Sequence, residues 1–476
     1  MPDMDVSNSG LERALDAYAR GFQRYLPSPF SIAVLLTALA ACLALRESGV
    51  NEVLDAWAQG LWNPGLIRFG FQAMFMLVLG HVLALAPPVL RALERAIDWI
   101  VLTPANAPAK VALLSMILGW LNWGLGLIAG AILVRGVMDR RRDEGPSSQL
   151  RQVSLGVLGA AGYTGLLVWH GGLGGSAPLK VAEHGHMASL VPNVPWIDKL
   201  PDVLTLSETS LTGWSQAVTW TTVIVVVMTF LWLGRRIGKN QSNDLPDIAK
   251  EGNFTKKAAE RRAEGMAERL DRGRLIPWVL GVACIIGAGS WASTSGPLST
   301  LAFITPDWIN MLLLGTALLT HGEVRGFLRA LDEAISGASG ILVQFPLYFG
   351  IMGMVSGTGL GAWLASSLVG ATSANWLPEA LFLSSGVLNV FVPSGGGQWA
   401  VQGPLVLEAC HSLGVPWERG IMAMAFGDEL TNMLQPFWAL PLLGITGLSA
   451  RDILPYTLLV MVVAGTVMLA FLSFWA

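Results

Sequence analysis

Apolar residues fall along this chain in long blocks rather than in strict alternation, and many blocks approach the 20 or so residues a helix needs to cross hydrocarbon. The blocks predict crossings at Pro27 to Leu45, Leu66 to Pro88, Val153 to Trp169, Gln216 to Gly234, Leu275 to Gly289, Trp308 to Thr320, Ser336 to Val355, Ala423 to Gly444 and Ile453 to Trp475. Several are short or interrupted. Two further apolar stretches, Val111 to Val134 and Leu381 to Leu407, carry Gly, Asn and Pro at their centres. The opening residues, 1–25, lack an apolar centre and read as an amphipathic segment rather than a cleaved signal peptide. The pattern predicts an all-α polytopic membrane protein.

Charge placement orients it, because Lys and Arg mark the cytoplasmic side of short loops. Arg13, Arg20 and Arg24 lie before the first block, and Arg135 and Arg140 to Arg142 follow the first broken stretch. The loop 235–274 holds eleven Lys and Arg against seven Asp and Glu, whereas 176–215 holds two against four. The first three groups belong inside and the last outside. A single crossing at Val111 to Val134 would strand Arg140 to Arg142 outside. A stretch that dips in and returns, turning at Leu-Asn-Trp-Gly-Leu-Gly (121–126), puts every cluster on its expected side. In the second half, Leu381 to Leu407 then dips in from the other face, turning at Pro-Ser-Gly-Gly-Gly-Gln.

This predicts an inverted repeat with two re-entrant helical hairpins entering from opposite faces. Its parts are a first transmembrane repeat over 26–234 with a hairpin near 111–134, a cytoplasmic linker over 235–274, and a second repeat over 275–476 with a hairpin near 381–407. A glutamine precedes each hairpin, Gln72 by 50 residues before Asn122 and Gln344 by 45 before Asn389. Another broken element follows each, at 169–178 and 428–436. Interrupted segments at matching places in two halves point to a secondary transporter's binding site.

Composition agrees. The 476 residues are 53% hydrophobic and 13% charged, with mean hydropathy +0.54, where a soluble domain carries roughly 25% charge. A net charge of −3 gives no basis for nucleic-acid binding. Cys42, Cys284 and Cys410 are too scattered for a metal set or a disulfide framework. No cofactor is expected. The expected partners are membrane lipids and a small solute, with a homodimer left open, and the expected location is a bacterial inner membrane with the N-terminus in the cytoplasm.

The candidate chemistry lies at the breaks. Isolated glycines such as Gly119 and Gly162 read as close-packing residues. The run Gly395, Gly396 and Gly397 beside Pro393 reads as a break in the helix. A half-helix starting there aims free N–H groups at an anion. With no Lys or Arg in the core, a carboxylate would meet backbone N–H groups and Asn122, Gly124, Ser176, Ser394 and Gln398, with Trp123, Trp399 and Phe437 as apolar walls. Coupling or polar support falls to Gln72, His170, Gln344, Asn389, Glu429, Asn432 and Gln435. Charges at membrane depth are normally functional or paired, which singles out Glu429.

Leu-Pro-Ser-Pro-Phe (26–30), Gly-His-Val-Leu-Ala (80–84), Asn-Trp-Gly-Leu-Gly (122–126), Val-Pro-Ser-Gly-Gly-Gly-Gln-Trp-Ala-Val-Gln-Gly-Pro (392–404) and Gln-Pro-Phe-Trp-Ala-Leu-Pro (435–441) resemble the bacterial short-chain fatty acid transporter family, from about Leu11 onward. The resemblance implies a permease for short-chain monocarboxylates such as acetoacetate and butyrate, within the ion transporter superfamily of inverted repeats and paired hairpins. Some carriers in that superfamily have Ser-Asn-Thr at both tips, where sodium and the carboxylate bind. The matching places here are Asn122-Trp123-Gly124 and the region from Asn389 to Ser394. Three positions depart from the family pattern: His170 and Leu173 replace glycine and phenylalanine, and Asp428 replaces glycine.

With no ATPase motif in the chain, accumulating an anion has to draw on an ion gradient or on exchange. Sodium would be held near Asn122 and Asn389, and a proton by Glu429. The competing class is a membrane enzyme acting on a lipid-like substrate, for which Glu183, His184 and His186 are the suggestive group. A channel is disfavoured by the paired discontinuities.

Overall fold

The computed structural model describes residues 17–18, 21, 27–192, 194–237, 272–294, 303, 305–370 and 372–474. Nearly all of the amphipathic segment expected over 1–25, and most of the linker expected over 235–274, lie outside the described residues. The elements are α-helices with short 3-10 turns, and no strand occurs among the described residues.

Before the linker come α1 (Pro29–Ala44), α2 (Val50–Leu61), α3 (Pro64–Ala84), α4 (Pro87–Val101), α5 (Ala107–Leu121), α6 (Trp123–Glu144), α7 (Leu155–Tyr163), α8 (Ser176–Val181), α9 (His186–Leu190) and α10 (Gly213–Arg236). After it come α11 (Leu275–Thr294), α12 (Pro306–His321), α13 (Val324–Gly357), α14 (Leu360–Val369), α15 (Leu377–Phe391), α16 (Gly395–Leu413), α17 (Trp417–Thr431), α18 (Pro436–Thr446) and α19 (Ala450–Ser473).

Among the described residues, α10, α11 and α19 are each long and apolar enough to cross a membrane unbroken, with mean hydropathies of 1.9, 1.8 and 2.2. Two bent helix pairs raise the number of candidate spans from 3 to as many as 5. On α11, Leu275 is 74% exposed, Val279 63% and Ile286 66%, an apolar surface suited to lipid. By contrast α7 is buried along its whole length, and α17 from Gly420 through Leu430. The chain is a multi-pass membrane protein whose broken elements are interior and whose unbroken helices include peripheral ones.

Helix starts are written locally. Asn63 accepts from Leu66 N at 3.1 Å, Thr212 from Ser215 N at 3.1 Å and Thr305 from Trp308 N at 3.2 Å, each side chain meeting an N–H that the first turn leaves free. The same device sets both central breaks. Asn122 is a single extended residue between α5 and α6, and its Oδ1 accepts from Gly124 N at 2.9 Å and Leu125 N at 3.3 Å. Ser394, also extended, accepts from Gly397 N at 3.3 Å and starts α16. The interruption therefore falls at Val392 to Ser394, and the three glycines form the first turn of the helix that follows. They do not break a helix; they keep its first turn bare.

Glycine also sets the packing. A Cβ on Gly119 would collide with the Gly165 carbonyl, and one on Gly130 with that of Gly162, so the first helix pair lies backbone against backbone on α7 and its 3-10 extension. In the second half Gly427 of α17 meets the Phe382 carbonyl of α15 in the same way. Gly353 of α13 and Gly60 of α2 form a third such contact. Small residues permit this approach where lipid supplies no hydrophobic drive between helices.

Gly427→Ala should therefore destabilise the fold by about 1 to 3 kcal/mol through overpacking. A control is Gly213→Ala, where an added Cβ meets nothing within 4 Å. Thermal unfolding in detergent should show a lower midpoint for the first variant and an unchanged one for the second; equal midpoints would refute the contact's importance.

Candidate functional site

Two broken elements meet at the centre. After Tyr163 the chain tightens into a 3-10 turn, Thr164–Leu167, and is non-helical up to Gly175. After Thr431 it tightens again over Asn432–Leu434, and Pro436 starts α18. The Tyr163 hydroxyl is shared between the carbonyls of Asn432 at 2.8 Å and Gln435 at 2.9 Å. Asn432 Nδ2 donates to the Leu166 carbonyl at 3.3 Å, and Thr457 Oγ1 to that of Met433 at 2.7 Å. Carbonyls freed by one break are thus met by side chains beside the other.

The loop 169–175 threads between both hairpin regions. Leu173 N donates to the Trp120 carbonyl at 2.8 Å, and Gly172 lies so close to it that any side chain would collide. On the other side, His170 N donates to Glu429 Oε2 at 2.7 Å and His170 Nδ1 meets the Ala425 carbonyl at 2.8 Å. The His170 and Asp428 side chains are 0% and 1% exposed, with Nε2 3.5 Å from Oδ2. A Cβ at Gly395 would stand 2.8 Å from His170 Nε2 and 2.9 Å from Asp428 Oδ2. Two positions that depart from the family pattern are therefore neighbours beneath the first turn of α16.

The polar side chains of α15 and α16 extend this centre. Asn389 Nδ2 donates to the Asp428 carbonyl at 2.7 Å and to Asn432 Oδ1 at 3.1 Å, and Gln435 Nε2 donates to the Asn389 carbonyl. Gln398 Nε2 donates to Ser385 O at 2.9 Å and to Gln402 Oε1 at 3.2 Å. Carbonyl partners fix which end of each amide carries hydrogen. What remains unpaired is mostly acceptors: His170 Nε2, Asn389 Oδ1, Gln398 Oε1, Asp428 Oδ2, Glu429 Oε1 and Gln435 Oε1 are buried without a hydrogen-bond partner. The unpaired donors beside them are the indole N–H groups of Trp169, packed on His170, and of Trp120.

The first turn of α16 has the opposite character. Gly395 and Gly396 N–H groups lie where no intrahelical partner is available. A Cβ on Gly396 would meet nothing within 4 Å. A cavity of about 530 Å³ adjoins this turn, lined by Val392, Gly397 and Val401 on one side and by Met352, Glu52 and Asp55 among others.

The sequence-derived site residues divide accordingly. Asn389, Gln398, Glu429, Asn432, Gln435 and His170 come together, with Gly395 over them. Asn122 caps α6, next to Gly174 of the threading loop, where a Cβ would lie 3.5 Å from its Cα. Trp123 packs on Trp438 with ring centroids 5.1 Å apart. Ser176 begins the short α8, half-buried. Trp399 is buried, and its indole N–H donates to His186 Nε2 at 3.0 Å, tying α16 to α9. Gln72 and Gln344 are only half-buried; Gln72 donates to Asp307 at 2.6 Å, away from the centre. The Phe437 side chain lies outside what the structure describes. Tyr163, Ser385, Gln402 and Asp428 belong to the centre and were not among the expected site residues. Their signal was polarity inside apolar blocks, which Gln72 shares.

This fold, with spanning helices around a centre of broken polar elements, is that of a multi-pass membrane protein, and its family makes it a transporter. The chain belongs to the short chain fatty acid transporter family, whose model matches residues 11–475. Relatives named for short-chain fatty acid transport in Escherichia coli (strain K12) and Haemophilus influenzae (strain ATCC 51907 / DSM 11121 / KW20 / Rd) are each 32% identical. The matches cover 94% and 95% of this chain and 96% and 97% of theirs. Among solved structures, Neisseria gonorrhoeae MtrF, whose structure illuminates a class of antimetabolite efflux pumps, aligns at 13% identity and TM-score 0.45 over 98% of this chain and 97% of its own. The Alcanivorax borkumensis YdaH transporter aligns at 14% identity and TM-score 0.42 over 93% and 98%.

The family overturns the enzyme alternative, and the geometry agrees. His184 Nδ1 pairs with Asp202 at 2.7 Å, Glu183 with Lys180 at 2.9 Å, and His186 with Trp399, so the three expected groups face different partners.

Gly395→Ala should strip transport at least tenfold, its methyl displacing His170 or Asp428, while Gly396→Ala, directed into open space, should leave the purified protein equally stable. Uptake and thermal midpoints of the two variants check this, and full uptake by Gly395→Ala would count against the centre.

Burial lowers the His186 imidazole below its ordinary value of 6.5, opposed by the nearby Glu183 charge. Only a neutral ring can accept at Nε2, so the Trp399 contact is fully present above about pH 6.5 and is lost as pH falls toward the lowered value. Losing a hydrogen bond of about 1 kcal/mol should raise hydrogen exchange of the 395–413 backbone roughly fivefold once pH has fallen through the lowered value, after correction for intrinsic rates. His186→Gln, which keeps an acceptor, should remove that pH response.

Proposed function

We propose that this chain is a cation-coupled symporter of short-chain fatty acids or related small monocarboxylates, working by alternating access in the bacterial inner membrane with its N-terminus in the cytoplasm. The observation that carries this reading is the pairing of two unlike sites. A cluster of unpaired acceptors lies beneath the first turn of α16, where the Gly395 and Gly396 N–H groups have no intrahelical partner. Unmet acceptors attract a proton or a metal cation, while a helix N-terminus attracts a carboxylate.

In this reading the carboxylate sits at Ser394 to Gly397, with its short tail in the adjoining cavity against Met352, Val392 and Val401. Asn122 and Ser394 act by capping: their oxygens hold the return helices in place, and the N–H groups so aligned face the anion. The two helix–break–helix units, α5–α6 and α15–α16, are re-entrant hairpins entering from opposite faces of an inverted repeat. Each packs through glycine on the broken element that follows it, which supports the repeat.

A monocarboxylate entering a negative cell climbs roughly 2.3 kcal/mol per 100 mV, and one accompanying cation cancels that work. The proton is the favoured ion, with Glu429 carrying it, because its Oε1 is buried and unpaired. Sodium at the oxygens of Asn389 and Gln435, both unpaired in the same cluster, is the second reading.

Reconstituted vesicles should accumulate butyrate under an inward pH gradient without sodium. Glu429→Gln should reduce that accumulation at least tenfold while changing butyrate binding less. Accumulation that ignores the pH gradient and requires sodium would defeat the proton assignment, and absence of any butyrate or acetoacetate uptake would defeat the substrate class.

A further inference from the structure

His170 fixes its own tautomer. Nδ1 lies 2.8 Å from the Ala425 carbonyl oxygen, and a carbonyl only accepts, so the hydrogen of a neutral ring sits on Nδ1. Nε2 is then left with a lone pair. That lone pair lies 3.5 Å from Asp428 Oδ2, on side chains 0% and 1% exposed, and neither atom has a hydrogen-bond partner. Two acceptors closed off from solvent and facing each other are unfavourable if the ring is neutral and the carboxylate ionised. One hydrogen ion on either atom turns the repulsive contact into an attractive one.

We infer that His170 and Asp428 together bind one proton between Nε2 and Oδ2, at a site separate from Glu429 and covered by the first turn of α16. The cover is Gly395, whose missing side chain leaves room for both atoms: a Cβ there would fall 2.8 Å from one and 2.9 Å from the other. A proton reaches the pair from water on whichever face the tip opens toward, forms an N–H or O–H bond, and leaves to water by breaking that bond. No other bond changes.

The groups facing the pair do not supply the missing charge. Glu429, on the same helix, is engaged by His170 N. Tyr163 of α7 is committed to two carbonyls. His186 of α9 accepts from Trp399, and Lys180 of α8 is exposed beside Glu183. Asn389 of α15 and Thr219 of α10, the latter beside Gly171, do not titrate. Among the described residues Arg141 is the buried Lys or Arg side chain, and it lies by the Val153 carbonyl.

This inference deepens the proton-coupled reading above, yet the site can be tested without substrate. The probe is full-length protein in nanodiscs, labelled with 15N at its 6 histidines, with His170 assigned by the signal lost in His170→Gln. At pH 7 without sodium, two outcomes are expected to support the site. The ring is an imidazolium, or it is neutral with hydrogen on Nδ1 while an infrared carboxylic-acid band is present that Asp428→Asn removes. A neutral ring with no such band overturns the proposal, as does a ring signal that shifts with sodium at constant pH. Should His170→Gln fail to fold, the assignment passes to Asp428→Asn, whose change alters the facing ring. In vesicles Asp428→Asn should cut pH-driven butyrate accumulation at least tenfold, and an unchanged ratio overturns the pair's part in coupling. Wild-type vesicles inert to butyrate would sink the substrate reading while leaving the spectroscopic result standing.

Discussion

Hydrocarbon offers no hydrogen bonds, so a helix interrupted within a membrane protein needs its freed N–H and C=O groups met by the protein itself. The rest of this structure follows from how that demand is satisfied. Asn122 and Ser394 accept from N–H groups at the start of the helix that follows each break, and Tyr163 and Thr457 take carbonyls at the 3-10 break after Thr431. Such service requires the breaks to lie against one another. The glycine contacts at Gly119, Gly130 and Gly427 bring them within reach, and the polar centre is the place where they meet.

The same requirement explains why the centre is rich in acceptors. Side-chain amides of Asn389 and Gln435 spend N–H groups on the carbonyls of Asp428 and Asn389, because carbonyls are what a broken helix end leaves unpaired, and Gln398 donates to the Ser385 carbonyl within α15. Their own oxygens are left over, next to two carboxylates. A cluster of unpaired acceptors thus arises from the repair of the backbone. A few residues away, the bare first turn of α16 keeps the opposite polarity, so unpaired acceptors and N–H groups without intrahelical partners share one short stretch of chain.

Much of this was legible in the sequence, for identifiable reasons. Apolar block length gives the membrane class, and Asn122 and Pro393-Ser394 declare their breaks because no uninterrupted helix gains from them. Glu429 stood out through the rarity of a charge among apolar residues, and the structure buries it at the centre. Other features were hidden. The helices α2 and α4 carry charges on one face, so they interrupt the apolar pattern without resembling a crossing. Gln72 and Glu429 look alike in sequence, since each is polar within an apolar run; only packing shows that Gln72 meets Asp307 at the periphery and Glu429 meets the threading loop. The contact between His170 and Asp428 joins residues more than half the chain apart. It becomes visible only when the two broken elements are laid side by side.

One hydroxyl links those elements most directly. Tyr163 belongs to the portion before the linker, and the two carbonyls it serves belong to the portion after it. A single O–H shared between two acceptors tolerates a change of angle better than a change of distance, because swinging toward one carbonyl strengthens one contact as it weakens the other. Tyr163 therefore keeps both carbonyls of the second break paired through small changes of angle between the two broken elements.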